Sequence, residues 1–220
     1  TYSRLGQRLN TWLSSQTPAG ILFETDLRLR PNGDSGLLAV SVDSFRDYEL
    51  KKAWTWEHQA LTRARFCAGD PAVGKRFEEI RCEILRQPRD LAKLKDEVVA
   101  MRQKMYDAHA SKSRTGFALK HDAGGIVDVE FIVQYLVLGY AQQYATLTGN
   151  LGNIALLRMA GELGLIDPRQ AEAAGNAYRE YRRLQHAKRL STNPKGLIPR
   201  EEIEKHAIAV NALWKTVFGE

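Results

Sequence analysis

Apolar residues alternate at period two in a single short stretch of this chain, and nearly everything after it repeats at the three-to-four spacing of a helix. In residues 21–30, Ile21, Phe23, Thr25, Leu27 and Leu29 fall on one side of an extended backbone. Leu22, Glu24, Asp26, Arg28 and Arg30 fall on the other. The turn-forming run Pro31-Asn32-Gly33-Asp34-Ser35-Gly36 follows, and Leu38, Val40 and Val42 resume the alternation. Residues 21–42 therefore read as a hairpin with a long loop. The fold class expected is α+β and predominantly helical, short antiparallel strands leading into a helical bundle.

The helices are legible from their stripes and punctuation. Leu5, Leu9, Trp12 and Leu13 share a face over residues 3–16, until Pro18 and Gly20 break the helix. Asp43-Ser44 supplies cap chemistry for one or two helices over 44–66, which end before Gly69-Asp70-Pro71. Another helix is expected over 72–86. Asp90 caps the next, where Leu91, Leu94, Val98, Met101 and Met105 form a stripe. An extended link from Phe117 to Gly125 precedes a strongly apolar helix over 126–145, and Asn150 or Asn153 caps a further one. Asp167-Pro168 starts a helix reaching about Leu190, since proline suits a first turn. Ile203, Ala207, Val210, Trp214 and Val217 form the last stripe.

At 220 residues, 44% hydrophobic and 26% charged, the chain can bury a sizeable core and is not a disordered segment. Lys and Arg exceed Asp and Glu by 32 to 26, a net +6 that suits phosphate-bearing partners but equally describes an ordinary solvated surface. No basic cluster marks a nucleic-acid arm, and no apolar stretch approaches the roughly 20 residues that span a bilayer. The two cysteines, Cys67 and Cys82, lack metal-type spacing and read as reduced thiols of a cytoplasmic protein. The start at Thr1, inside a helix and without an initiator methionine, reads as that of an excised fragment.

Asp26 is the foremost candidate for chemistry. Nucleotidyl transfer needs carboxylates on rigid backbone to hold Mg²⁺ against triphosphate oxygens, and cations against the leaving pyrophosphate. A strand with Asp26 followed by Arg28 and Arg30 meets both needs; a cross-strand ladder of ion pairs on a solvent face accounts for the same pattern. Glu57, Arg63 and Arg65 sit near helical spacing and either project toward the strand or form salt bridges. Trp54 and Trp56 read as packing residues. Asp128 and Glu130, at a helix start, satisfy free N–H groups and the helix dipole, an account sufficient in itself, with a direct catalytic role the lesser alternative. Lys120 lies where it reaches a phosphate, though nothing compels it. His58, His109, His121, His186 and His206 show no ligand pairing.

Three blocks carry a resemblance. Glu24-Thr25-Asp26-Leu27-Arg28-Leu29-Arg30-Pro31, followed by Gly33 and Ser35-Gly36, is the first. The second runs from Ala53-Trp54-Thr55-Trp56-Glu57-His58 to Arg65, and the third from Gly124-Gly125-Ile126-Val127-Asp128-Val129-Glu130 to Leu136. In this order they resemble the glutamine synthetase adenylyltransferase family. The resemblance implies polymerase-β-type nucleotidyltransferase domains, one adenylylating a tyrosine of glutamine synthetase from ATP and the other removing AMP by phosphorolysis. The tryptophan-rich block looks more like the adenylylating, C-terminal half, with a role in regulating nitrogen metabolism.

It further implies Mg²⁺ as cofactor, ATP as substrate, glutamine synthetase as partner and a PII-type regulator as another. Asp26 matches the third metal carboxylate of such sites, with Arg28 and Arg30 facing the nucleotide. The Gly-Ser turn and Asp-x-Asp pair that complete them are absent, so the fragment alone is expected to be inactive. Residues 1–70 are then the C-terminal part of a nucleotidyltransferase domain and 71–220 a helical bundle. The alternatives are the deadenylylating half, an RNA-directed transferase of the same fold, and a non-catalytic docking or regulatory module.

Overall fold

The computed structural model describes residues 2–21, 25, 27, 36–190 and 196–219. They divide into two compact units, Thr1–Ile84 and Leu85–Glu220. The expected class holds: short antiparallel strand pairs accompany a mostly helical chain.

In the first unit, α1 spans Tyr2–Ser14. Its stripe leaves Leu5, Leu9 and Trp12 largely exposed, and only Leu13 is half-buried. Pro18 and Gly20 end the helix by turning the chain into a hairpin, β1 (Gln16–Thr17) pairing with β2 (Gly20–Ile21). Gly20 takes φ 105°, a conformation that a side chain resists. The Thr17 hydroxyl closes the turn by accepting the Ala19 N–H (3.2 Å) and donating to the Gly20 carbonyl (2.6 Å).

Of the strand expected over 21–30, Ile21, Thr25 and Leu27 are described and the rest lies outside the described residues. Its expected partner at 38–42 is not a strand. Leu38 and Val40 are irregular, and Val42 opens α2 (Val42–Lys51). Ser41 decides this: its hydroxyl accepts the Ser44 N–H at 3.1 Å, a helix cap placed ahead of the expected Asp43-Ser44. A satisfied N-terminus outweighs three alternating apolar residues.

After α2 come α3 (Thr55–Leu61) and α4 (Pro71–Leu85). Phe45 meets Phe77 at 5.6 Å, and Arg46 Nε bonds Glu83 at 2.7 Å, so α2 rests on α4. Gly74 opens room on α4 for the Phe66 ring, which a β-carbon there would meet at 2.6 Å.

The second unit is built around α6 (Ile126–Tyr140). Ile126 to Val129, Phe131 to Leu138 and the following Ala141 are buried, the mark of a helix apolar all round and enclosed on all sides. Packed on it are α5 (Leu91–His109), α7 (Asn153–Glu162), α8 (Pro168–Arg189) and α9 (Arg200–Phe218). A 3-10 turn, Ala145–Thr148, leads from α6 toward α7.

Caps set the starts where the sequence places them at Asp90 and Asp167, each accepting two backbone N–H groups. At α7 the cap position belongs to Gly152, and Asn153 is a buried residue inside the helix. Neither asparagine expected there acts as cap. Ala171, Ala174, Gly175 and Ala177 give α8 a buried face of small residues. A two-residue ladder, β3 (Gly116–Phe117) on β4 (Ile198–Pro199), ties the α5–α6 link to the start of α9. The Arg200 N–H extends it, bonding the Thr115 carbonyl at 2.8 Å.

Candidate functional site

Asp26, Arg28 and Arg30, the residues expected at a metal and a nucleotide, lie outside the described residues, as does Glu24. Their neighbour Thr25 donates its hydroxyl to the Asn10 side chain of α1. Among the described residues no three His, Cys, Asp or Glu side chains gather to hold a metal ion. Neither Cys67 nor Cys82 is in a disulfide, and no described helix is long and apolar enough to cross a membrane.

The tryptophan-rich block builds a polar elbow between α2 and α3. Glu57, in the first turn of α3, accepts the Trp54 backbone N–H and the Tyr48 hydroxyl, each at 2.8 Å. It is thus a reciprocal cap, the role that a carboxylate three residues into a helix performs. Trp54 precedes the helix and is 69% exposed, so the packing role expected for it fails, while Trp56 is half-buried. Because α3 stops at Leu61, Arg63 and Arg65 lie past its end and exposed, not in line with Glu57.

His58 and Glu49 are buried together beneath the elbow. Imidazole Nε2 donates to the Glu49 backbone carbonyl at 2.9 Å and lies 3.5 Å from its carboxyl Oε2. Burial first, and the charge of Glu57 second, push the Glu49 carboxyl up to about 7. Glu49 is the one buried residue of α2.

In the second unit the Gly124-Gly125 block forms a buried knot. Arg102 of α5 sends Nε to an Asp128 carboxyl oxygen and Nη2 to the His121 carbonyl at 2.9 Å. The other Asp128 oxygen accepts the Gly124 N–H at 2.5 Å. Both side chains are 6% exposed. Burial pushes the Asp128 carboxyl up, against the opposing pull of Arg102 and of the Gly124 and Gly125 N–H groups. The Tyr181 hydroxyl of α8 donates to the Gly124 carbonyl at 2.8 Å.

Gly124 (φ 84°) is required on two counts, since a β-carbon would also meet the Ala207 carbonyl of α9 at 2.6 Å. One turn away, Asp122 accepts the Ser111 N–H (2.6 Å) and the Ala118 N–H (2.9 Å), folding the link from α5 back on itself. Asp128 therefore acts at the α6 start as its sequence position suggests. Glu130 accepts the Tyr178 hydroxyl at 3.1 Å. Lys120 is exposed, and the His109 and His121 rings lie 4.9 Å apart. Arg102 and Asp122 were not foreseen. The signal for Arg102 was its place four residues after Val98 on the buried stripe Leu94–Val98.

Comparison with known proteins bears on both units. Residues 1–80 match the family model described as glutamate-ammonia ligase adenylyltransferase. Residues 92–195 match that of the GlnD PII-uridylyltransferase. Relatives called bifunctional glutamine synthetase adenylyltransferase/adenylyl-removing enzyme align along nearly the whole chain. The one from Aromatoleum aromaticum is 65% identical over 99% of this chain and 23% of its own length. That from Nitrosomonas europaea is 54% identical over 99% of this chain and 25% of its own. For Bordetella bronchiseptica the values are 53%, 100% and 23%. The chain thus spans about a quarter of the curated relatives it matches.

Two outcomes follow from this geometry. Asp128→Ala strands a buried guanidinium and lowers the unfolding free energy by about 3–5 kcal/mol in urea titrations. The Arg102→Met/Asp128→Leu pair loses clearly less than the two single losses combined; strict additivity contradicts a coupled pair.

Glu49 titrates with the opposite sign to an ion-paired carboxylate. Its folded-state pKa lies above the ordinary 4.5, so the folded state holds the extra proton and stability falls as pH rises from 4.5 to about 7. Glu49→Gln flattens that slope in unfolding followed by tryptophan fluorescence, to which Trp12, Trp54 and Trp56 of this unit contribute. An unchanged slope in the variant contradicts the assignment.

Proposed function

We propose that this chain, homologous over its whole length to a segment of the bifunctional glutamine synthetase adenylyltransferase/adenylyl-removing enzymes, is part of the adenylylating half of such an enzyme. The observation that carries the enzyme reading is the 65% identity across 99% of the chain, and the tryptophan-rich block over residues 53–65 supports the adenylylating half. The order of the three sequence blocks and the adenylyltransferase family match over residues 1–80 support it. In this reading, residues 1–70 are the C-terminal part of a polymerase-β-type nucleotidyltransferase domain and 71–220 its helical companion. The whole enzyme regulates nitrogen assimilation in the cytoplasm by moving AMP from ATP to a tyrosine of glutamine synthetase.

The chemistry assigned is attack of the tyrosine oxygen on the α-phosphorus, forming one P–O bond as the bond to pyrophosphate breaks. Asp26 is the metal-holding carboxylate. Mg²⁺, when bound, supplies charge neutralisation along the triphosphate. Arg28 and Arg30 would supply guanidinium donors to the phosphates, suited to oxyanions by their paired N–H groups. One carboxylate does not build a two-metal centre. The Asp-x-Asp pair is therefore assigned to sequence outside these 220 residues, and the chain alone is inactive.

The match of residues 92–195 to a PII-uridylyltransferase model favours a second role for the helical region. It serves as a docking surface for glutamine synthetase or a PII-type regulator. The relatives' name joins two activities, so the deadenylylating half is the alternative; it predicts phosphate-dependent release of AMP from the modified synthetase.

In the full-length enzyme, Asp26→Asn is expected to lower AMP transfer at least about 100-fold while glutamine synthetase still binds. Transfer within a few-fold of wild type contradicts the assignment. Loss of phosphorolysis with transfer intact moves the chain to the other half.

A further inference from the structure

A trough of about 720 Å³ runs between α7 and α8. Its floor is apolar: Ala171 and Gly175 are buried, with Ile154 and Ala155 half-buried beside them. The charged groups stand on its rims. Arg158 and Glu162 of α7 pair with each other at 3.7 Å, and Glu172, Asn176 and Arg179 of α8 are exposed on the other side. A metabolite pocket needs polar groups that converge on one ligand from its walls. These four floor residues carry no side-chain donor or acceptor, so whatever lies on them is apolar where it touches.

Along α8 the trough runs from Pro168 to Arg179, about 16 Å or three turns of a helix lying alongside. The same line of α8 continues at three-four spacing through Arg182, His186 and Arg189. Between residues 179 and 189, Arg179, Arg182, Arg183, Lys188 and Arg189 meet one acid, Glu180. Arg183 takes both oxygens of that carboxylate, at 2.6 and 2.8 Å. Arg179 bonds the Asn176 amide oxygen at 2.6 Å, and Arg182 the Gln185 amide oxygen at 2.8 Å. Among the described residues Arg179, Arg182 and Arg189 form no ion pair. Cations in the last turn of a helix answer its dipole, but Arg182 and Arg179 stand about two and three turns earlier, beyond that effect.

We propose that the α7–α8 trough is the docking groove for an acidic amphipathic helix of a protein partner. Its apolar stripe lies on Ile154, Ala155, Ala171 and Gly175, and its carboxylates face Arg179, Arg182 and Arg189. Helices side by side share one pitch, so carboxylates at three-four spacing meet these cations in register. The partner runs antiparallel to α8, which puts its acidic half at its own N-terminus, where the dipole favours it. This deepens the docking role given to the helical region and rests on that reading, not on the nucleotide-transfer assignment.

The test titrates the isotope-labelled 220-residue chain with two synthetic helical peptides of about 20 residues that share one leucine-alanine face. One carries glutamates beside that face in its N-terminal half; the other carries lysines at the same positions. The glutamate peptide is expected to shift the amide resonances of Ile154, Ala155, Ala171 and Gly175 saturably, with a dissociation constant on the order of 10 μM. The lysine peptide binds at least about tenfold more weakly. Arg179→Glu/Arg189→Glu, both at exposed positions, inverts that preference. Asn176→Trp, at the exposed rim, fills the mouth and weakens both peptides. No saturation up to about 1 mM, equal affinity for the two peptides, or a preference that survives the charge reversal overturns the proposal. A short oligothymidine that binds at least as tightly as the glutamate peptide assigns the stripe to nucleic acid and overturns it as well. Glutamine synthetase binding by the full-length enzyme, measured in parallel, separates failure of this groove from failure of the docking reading.

Discussion

The contact between Arg102 and Asp128 is the interaction on which the second unit depends. A buried ion pair stabilises only when its remaining hydrogen-bonding capacity is used, because desolvating each charge costs several kcal/mol. Here both carboxyl oxygens are engaged, one by Arg102 and one by the Gly124 N–H, and the guanidinium also holds the His121 carbonyl. The pair thereby fixes the turn that starts α6. Tyr181 from α8 grips the carbonyl of the same glycine, and the backbone of Ala207 on α9 lies against its α-carbon. One carboxylate registers four helices around a point where no side chain fits.

The remaining packing follows from that entry point. An apolar helix enclosed by its neighbours has no polar face to orient it, so its register must come from its ends. The N-terminal knot supplies one end. Further along α6, Tyr135 meets Phe218 of α9 at 5.0 Å, and Trp214 meets Phe218 at 4.3 Å.

What the sequence revealed divides along physical lines. Local signals were legible: Asp90 and Asp167 cap where they stand, Pro18 and Gly20 turn the chain, and the all-apolar run of α6 is buried. Competition between local signals was harder to read. Ser41 captured a helix start that alternation had assigned to a strand, and Gly152 took the cap position from two asparagines. Long-range pairing was not legible at all. Arg102 meets a carboxylate 26 positions away, and a charge on an apolar stripe looks like a defect until its partner is known. Glu49 is the same case, a carboxyl whose burial under His58 depends on the angle between two helices.

For the candidate site the blocks of residues said more than the described geometry does, since Asp26, Arg28 and Arg30 lie outside the described residues. The second and third blocks found physical explanations of their own: Glu57 caps α3 and Asp128 anchors α6. Two of the three blocks are therefore accounted for by folding, and the burden of chemistry falls on the Asp26 segment. The reading that this chain holds one carboxylate of a shared metal centre is tested most directly by following AMP incorporation from labelled ATP into glutamine synthetase with the 220-residue chain alone and with the full-length enzyme. The account predicts magnesium-dependent incorporation by the full-length enzyme and none by the chain alone. Metal-dependent turnover by the isolated chain would contradict it.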